Sequence, residues 1–192
     1  MRLKARHFKL LAALALILAP IAFWALFKPV RLLVPGLAGV TCQDSRVCTD
    51  APERAGEAAA LVEEAVMFVR QVAGNVESRP RAVFCSSDRC AAFFGLGRSS
   101  AKTTGPFGTV YGPHAWKDYY VRHELLHHLQ NERLGMYRFH RGPEWFIEGM
   151  AYALSGDPRA ILSEPFQSYR HQFNVWYGNV GRDRLWQEAA KL

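Results

Sequence analysis

The chain has 192 residues, of which 49% are hydrophobic and 21% are charged, and its formal net charge is +7 at pH 7. Six of its 24 lysine and arginine residues, and none of its 17 aspartate and glutamate residues, lie within residues 1–31, so the remainder carries a net charge of only +1. Because this remainder has no basic excess, we expect no nucleic-acid partner. The length is sufficient for one hydrophobic core but not for two ordinary domains.

The amino-terminal segment predicts a single membrane anchor. Residues 1–9 are a basic leader, and residues 10–27 are 18 successive positions without a charged side chain. This run is at the lower limit for a membrane span but longer than a signal-peptide core of about 7–15 residues, and no clear cleavage site follows it. The amino terminus then stays in the cytoplasm, and the rest of the chain crosses a bacterial inner membrane to the periplasm. Removal of the segment as a signal peptide, which releases the protein into the periplasm, is the alternative.

A proline- and glycine-bearing linker is predicted at residues 28–40, and four cysteines follow it along the chain. They form two closely spaced pairs, Cys42 with Cys48 and Cys85 with Cys90. An even number of cysteines beyond an export segment indicates disulfide bonds in an oxidising compartment, and pairing within each group is the simplest of three connectivities. A cysteine zinc site fits less well because neither pair has the two-residue spacing of a zinc knuckle. Free buried cysteines are a third interpretation.

Four elements are predicted between residues 52 and 111. Apolar residues at helical spacing predict an amphipathic, core-packing helix over residues 52–73. A short strand at residues 81–85 and a short helix at residues 87–94 follow. Residues 95–112 are rich in glycine, serine and threonine, and within them residues 107–111 have the pattern of a strand.

The most informative motif, His-Glu-Leu-Leu-His, begins at His123. Its flanks contain no glycine or proline, so we predict a helix over residues 118–134 that ends at Gly135. Residues four apart lie on the same face of a helix, so His123 and His127 can bind one metal ion. Glu124 then lies beside the open coordination position.

A catalytic zinc ion needs a third protein ligand in addition to a water molecule. Glu148 is the strongest candidate, because it lies 21 residues after His127 in a second predicted helix that begins near Pro143 and ends near Ser155. Two helices joined by a short loop form a hairpin that can bring a carboxylate of the second to the histidines of the first. Glu144 lies one turn earlier on the same face and ranks second.

Together these motifs resemble a known family. His-Glu-x-x-His, followed by Pro-Glu-Trp-Phe-Ile-Glu-Gly-Met-Ala at residues 143–151, is similar to the gluzincin metallopeptidases, and most of all to the compact bacterial group called peptidase MA-like. The similarity covers residues 118–156, well under a third of the chain.

The resemblance implies one zinc ion bound by His123, His127 and Glu148, activity on a peptide or protein substrate, and Glu124 as the general base. Zinc lowers the pKa of its bound water and polarises the scissile carbonyl, while the base passes the water proton to the leaving amine. The family also has an edge strand, just before the active helix, that pairs with an extended substrate. Residues 107–111 are the strand predicted at that place; a mobile loop or a structural hairpin there is the alternative.

A carbonyl oxyanion needs a hydrogen-bond donor besides zinc, and related peptidases use a tyrosine or histidine that follows the third ligand. Tyr169 and His171 lie at a suitable distance along the chain and are predicted to contribute to the catalytic site. Tyr152 and Tyr177 qualify by side chain as well. Each of these residue types is also common in half-buried structural positions, which is the alternative for all four.

Residues 157–192 contain a proline-bearing turn, an aromatic stretch and a final short helix near residues 182–191. For residues 41–192 we expect an α+β fold, a mainly helical zincin-like domain with a small, mostly antiparallel sheet. The predicted function is that of a membrane-anchored zinc metallopeptidase. The alternatives are a catalytically inactive zincin-like binding or assembly factor of the cell envelope and a non-catalytic metal-binding protein. No pattern indicates an oligomeric state.

Overall fold

The computed structural model describes residues 2–43 and 46–192. Within these residues the helices are α1 Arg2–Leu26, α2 Ala55–Val72, α3 Asp88–Phe93, α4 Asp118–Arg141, α5 Glu144–Leu154, α6 Phe166–Val180 and α7 Leu185–Ala189. The strands are β1 Thr41–Gln43, β2 Val47–Thr49, β3 Ala82–Phe84, β4 Ala101–Thr104 and β5 Gly108–Tyr111. The protein is an α+β fold in which helices predominate, as the sequence predicted.

The five strands form one sheet in the order β1-β2-β3-β5-β4. The pairs β1/β2 and β4/β5 are antiparallel, whereas β2/β3 and β3/β5 are parallel. The prediction of a mostly antiparallel sheet is therefore wrong, and the sheet is mixed. The reason is that α2 connects β2 to β3, and a helical crossover of this kind joins parallel strands.

Alternating side chains of the sheet enter two separate cores. Phe84 and Tyr111 belong to the larger core, which α2, α4, α5, α6 and α7 complete. Val83 and Val110 belong to the smaller core on the opposite face, together with residues of α3. The helix that carries the His-Glu-Leu-Leu-His motif, α4, therefore packs between the sheet and the other helices of the larger core.

Two features fix the direction of α4. Arg122 donates two hydrogen bonds to the Glu64 carboxylate of α2, with Nε to Oε2 at 3.0 Å and Nη2 to Oε1 at 2.6 Å. A bidentate pair of this kind fixes orientation as well as distance. At Gly135 the helical backbone is interrupted, with φ 76° and ψ 157°, a conformation that favours glycine. The predicted stop is thus a kink, and helical residues continue beyond it to Arg141.

Most of the other predicted elements are observed. The positions of α2, β3, α3, β5 and α5 confirm the elements predicted at residues 52–73, 81–85, 87–94, 107–111 and 143–155. The final helix is observed as a short 3-10 helix followed by α7. No structure was predicted for the aromatic stretch, which forms α6. Polar residues within this helix obscure, in the sequence, the apolar pattern of the face that buries Phe173.

The segment predicted as a linker, residues 28–40, is folded onto the domain. It contains two 3-10 helices, and Leu32 is fully buried in the smaller core. Arg81 Nη1 donates hydrogen bonds to the carbonyl oxygens of Leu32 and Leu33 at 2.6 and 2.8 Å. The chain therefore passes from α1 into the folded domain within a few residues.

Both disulfide bonds join cysteines that are close in sequence, as the local pairing predicted. Cys42–Cys48 connects β1 to β2, and Cys85–Cys90 connects the end of β3 to α3. Each bond closes a short loop at the margin of the smaller core.

Among the described residues, no helix has both the length and the apolar character needed to cross a membrane. The anchor at residues 10–27 remains a prediction, as does the leader at residues 1–9, of which Met1 lies outside the described residues.

Candidate metal centre

Three predicted ligands come together where α4 and α5 form a helical hairpin. His123 Nε2 and His127 Nε2 lie 3.1 Å apart, and each is 3.6 Å from a carboxylate oxygen of Glu148. The turn between the two helices is tight, because a Cβ atom on Gly142 would lie 2.7 Å from the carbonyl oxygen of Arg138. This glycine therefore allows the close return of the chain that brings the carboxylate to the histidines.

The spacing of these atoms fits a tetrahedral zinc site. With zinc–ligand bonds of about 2.0–2.1 Å, tetrahedral geometry separates two ligand atoms by about 3.4 Å. In the structure the two histidine Nε2 atoms lie 3.1 Å apart, and the 3.6 Å distances run from His123 to Oε2 and from His127 to Oε1 of Glu148. Taken as one ligand atom from each residue, the three atoms lie within 4.8 Å of one another. Two imidazole nitrogens and one carboxylate also form a donor set typical of catalytic zinc, with the fourth position left to water. The residues present therefore fit the zinc ion that the sequence predicted.

Gln130 orients the second histidine. Its side chain is fully buried, and its Oε1 accepts a hydrogen bond from His127 Nδ1 at 2.9 Å. Its amide nitrogen donates to the carbonyl oxygen of Ile147 at 3.0 Å, which assigns the amide oxygen to the histidine. In the neutral imidazole the proton is thus on Nδ1, and the lone pair of Nε2 is available to a metal. Sequence analysis missed Gln130, although it lies one turn after His127.

The charged groups of the site perturb one another. Burial opposes the charged form of His127, but the pairing with Glu148 and the negative charge of Glu124 outweigh it and raise the pKa of His127 from 6.5 to about 9. Burial also opposes ionisation of Glu148, yet His123 and His127 hold the pKa of its carboxyl well below the usual range. Without metal the site is an imidazolium–carboxylate pair, and a divalent cation must displace a proton to bind.

His123, His127 and Glu148 line a cleft with a volume of about 480 Å³. Glu124, the predicted general base, is 6% exposed and lines this cleft as well. Its Oε2 atom is buried and has no hydrogen-bond partner within the part of the chain that the structure describes. Its backbone carbonyl accepts a hydrogen bond from Thr103 Oγ1 at 3.0 Å, which fixes this turn of α4 against β4. A buried carboxyl oxygen without a partner is unfavourable, and the Glu124 side chain lines the cleft together with His123, His127 and Glu148.

Tyr152 lies on α5, one helical turn after Glu148. Its ring contacts the ring of His123 at a centroid distance of 4.5 Å, and it lines the cleft. Burial, and then the charge of Glu148, raise the pKa of its hydroxyl to about 12. The hydroxyl therefore remains a hydrogen-bond donor throughout the neutral pH range.

Tyr169 and His171, the two residues predicted to supply the oxyanion donor, lie on α6 and outside the residues that line this cleft. The Tyr169 hydroxyl donates a hydrogen bond to Glu144 Oε2 at 2.7 Å, in an adjoining depression that also includes Glu148. His171 is exposed and lines another depression, which shares Tyr152 and Asp157 with the cleft. The ring of Tyr177 stacks on a core aromatic ring. The structure thus brings the three predicted ligands, Glu124 and Tyr152 to one cleft, and it places Tyr169 and His171 outside the lining of that cleft.

The strand at the margin of the cleft is β4, not the strand predicted from the sequence. The predicted strand, β5, lies inside the sheet between β3 and β4, so its predicted place at the edge is wrong. β4 occupies the edge, and its residues 101–103 line the cleft. Residues 101–104 were overlooked because they belong to a polar, glycine-bearing segment without an apolar alternation.

The rest of the cleft wall consists of residues that sequence analysis did not single out. They come from residues 99–103, from both ends of α4, from the loop after α5 and from the start of α6, and they include Lys102, Tyr119, Tyr120, Asp157 and Arg159. No motif in the sequence connects these positions, because only the fold brings them together.

Comparisons with protein-family models, with curated proteins and with solved structures give no match to this chain. The functional interpretation below therefore depends on the site itself and on the resemblance of its two motifs.

Proposed function

We propose that this protein is a zinc-dependent metallopeptidase. The observation that supports it is the convergence of two imidazole nitrogens and one carboxylate, at spacings suited to one zinc ion, beside the unpartnered carboxylate oxygen of Glu124. A purely structural metal site would close its coordination with a fourth protein ligand. Here His123, His127 and Glu148 all line a cleft of about 480 Å³, and no fourth protein ligand joins them among the described residues.

In this proposal His123, His127 and Glu148 hold the metal. Bound there, zinc supplies an activated water and polarises the substrate carbonyl. Glu124 accepts the proton of the attacking water and returns it to the leaving amine. Tyr152 donates a hydrogen bond to the carbonyl oxygen as negative charge develops on it.

We further propose that the protein is anchored in a bacterial inner membrane through residues 10–27, with the folded domain in the periplasm. The uncharged run at these positions, the basic residues before it and the two disulfide bonds support this location. Carbonate extraction of membranes tests it: an anchored chain stays with the membrane, whereas a chain released by signal cleavage appears in the soluble fraction with a shortened amino terminus.

The substitution Glu124→Gln tests the catalytic proposal. It removes the base but none of the three ligands, so one zinc ion per chain should remain bound while hydrolysis of a peptide library falls at least about 100-fold. Glu57→Gln is the matched control, because Glu57 is an exposed residue of α2 that pairs with Arg54 outside the cleft. This variant should retain both zinc and hydrolysis.

The alternative functions give different results in the same experiment. An inactive binding factor would hold zinc but leave the library intact in the unsubstituted protein. A protein that lacks zinc after purification, and does not bind it when zinc is added, would contradict the metal centre itself.

A further inference from the structure

Beyond the proposed metal ligands, the cleft contains a fixed arginine. Arg159 lies in the loop between α5 and α6, and its Nε is 2.9 and 3.1 Å from the two carboxylate oxygens of Asp157. The backbone nitrogen of Arg159 also donates to Asp157 Oδ1 at 3.0 Å. The Asp157 side chain is only 1% exposed, whereas that of Arg159 is 41% exposed. A buried carboxylate therefore anchors a guanidinium that belongs to a residue lining the cleft.

Three tyrosines surround this guanidinium. Its central carbon lies 5.6 to 5.7 Å from the ring centroids of Tyr119, Tyr120 and Tyr152. Contacts with aromatic rings limit the conformations of the arginine side chain without using its N–H groups. Asp157 uses Nε and Nη2, and Nη1 makes no hydrogen bond to any residue that the structure describes. The arrangement leaves a planar cationic donor, fixed in place, for a ligand in the cleft.

The arginine lies close enough to the proposed metal to contact the same substrate. Tyr152 connects the two, because its ring is 4.5 Å from the His123 ring and 5.7 Å from the guanidinium carbon. The guanidinium is therefore no more than about 10 Å from the ring of His123, a length that about three residues of extended peptide span. A group bound to Arg159 would belong to a residue near the bond that is cleaved.

We infer that Arg159, anchored by Asp157, is a carboxylate-binding subsite, so that this protein prefers peptides with a carboxylate within about three residues of the scissile bond. The inference rests on the proposed peptidase function. A guanidinium with one free edge matches a carboxylate in shape and charge. Lys102, on the β4 side of the cleft, adds a second positive charge. The carboxylate is either an acidic side chain or the free carboxy terminus of the substrate.

Peptide binding tests this subsite separately from hydrolysis. The zinc-loaded Glu124→Gln protein is titrated with fluorescent peptide mixtures in two matched pairs. In the first pair both mixtures have an amidated carboxy terminus, and they differ only at one fixed position, which is glutamate in one mixture and glutamine in the other. In the second pair neither mixture contains acidic residues, and the mixtures differ only in a free or an amidated carboxy terminus. The pair in which the carboxylate improves binding identifies its source. We expect an improvement of about tenfold, reduced at high salt because the guanidinium is partly exposed.

The arginine is then replaced in the same protein. Arg159→Gln should abolish the difference within the pair, and Arg159→Lys should retain only part of it, because lysine keeps the charge but loses the planar fork. Arg89→Gln is the matched control: it removes an exposed arginine of α3, outside the cleft, and should leave the preference intact. Equal affinities within both pairs, or a preference that survives Arg159→Gln, would overturn the inference.

Hydrolysis by the unsubstituted protein is measured in parallel so that the two proposals fail separately. Cleavage of the mixtures without a preference for carboxylates would refute the subsite and leave the peptidase proposal standing. Binding that depends on Arg159, without cleavage of any peptide, would support the subsite and refute the peptidase.

Discussion

In the metal-free protein, the substitution Glu148→Gln should lower the pKa of His127 sharply. The raised pKa, about 9, depends mainly on Glu148, since burial acts in the opposite direction. Glutamine keeps the size of the side chain but removes the negative charge. With its principal partner neutral, the imidazole should titrate near or below its ordinary value of about 6.5.

The same shift determines how the stability of the metal-free protein depends on pH. The pKa of His127 is higher in the folded state, about 9, than the 6.5 expected of an unfolded chain. Its protonation therefore stabilises the fold fully below pH 6.5, and this contribution is lost as the pH rises through 9. A difference of this size corresponds to on the order of 3 kcal/mol.

Two measurements check this reasoning on protein treated with a chelator. Proton–nitrogen correlation spectra of the imidazole rings give the pKa of His127 directly, before and after Glu148→Gln. Urea denaturation at several pH values gives the free energy of unfolding, which should fall between pH 6.5 and 9 in the unsubstituted protein and much less in the variant. A His127 pKa near 6.5 in the unsubstituted protein, or one that Glu148→Gln does not change, would refute the coupling of the two side chains.

Four further substitutions, one of them a comparison, probe the surroundings of the site. Gln130→Leu should weaken zinc affinity by about 10- to 100-fold, measured by competition with a chelating dye, because His127 loses its orienting partner. Unchanged affinity would show that Gln130 does not orient His127 for metal binding. Gly149→Ala should destabilise the fold by about 1–3 kcal/mol in urea denaturation, because the new Cβ would lie 2.3 Å from the carbonyl oxygen of Tyr169; a neutral effect would show that α6 can move away. Tyr152→Phe should lower kcat by about 100-fold at unchanged zinc content, whereas Tyr169→Phe should not. A large loss of kcat in Tyr169→Phe and none in Tyr152→Phe would favour Tyr169, the donor predicted from the sequence.

The convergence of His123, His127 and Glu148 could be predicted from the sequence because their geometry is local or nearly so. His123 and His127 are one helical turn apart, and any helix at that place puts them on one face. Glu148 follows after a single helical hairpin, so its position relative to the two histidines depends on only one turn of the chain. The two disulfides are equally local, each closing a loop of a few residues.

The parts that sequence reasoning missed depend on contacts between distant segments. The parallel pairing of β3 with β5, and the edge position of β4, follow from the path of the whole chain rather than from any strand pattern. Gly149 illustrates the same limit, because its lack of a side chain matters only where α6 crosses α5. Tyr152 has no local signal that distinguishes it from Tyr169, and only the fold places one of them against His123.

The charge of the cleft connects these observations to the metal. At neutral pH the metal-free site pairs the Glu148 carboxylate with an imidazolium at His127, because the pKa of that ring is about 9 and the pKa of Glu148 lies well below its usual range. Glu124 lines the same cleft, is 6% exposed and has one carboxyl oxygen without a partner among the described residues. A divalent cation bound there would replace the His127 proton and would bring a bound water into the cleft. The features that are unfavourable in the empty fold are therefore the same features that a hydrolytic zinc site requires.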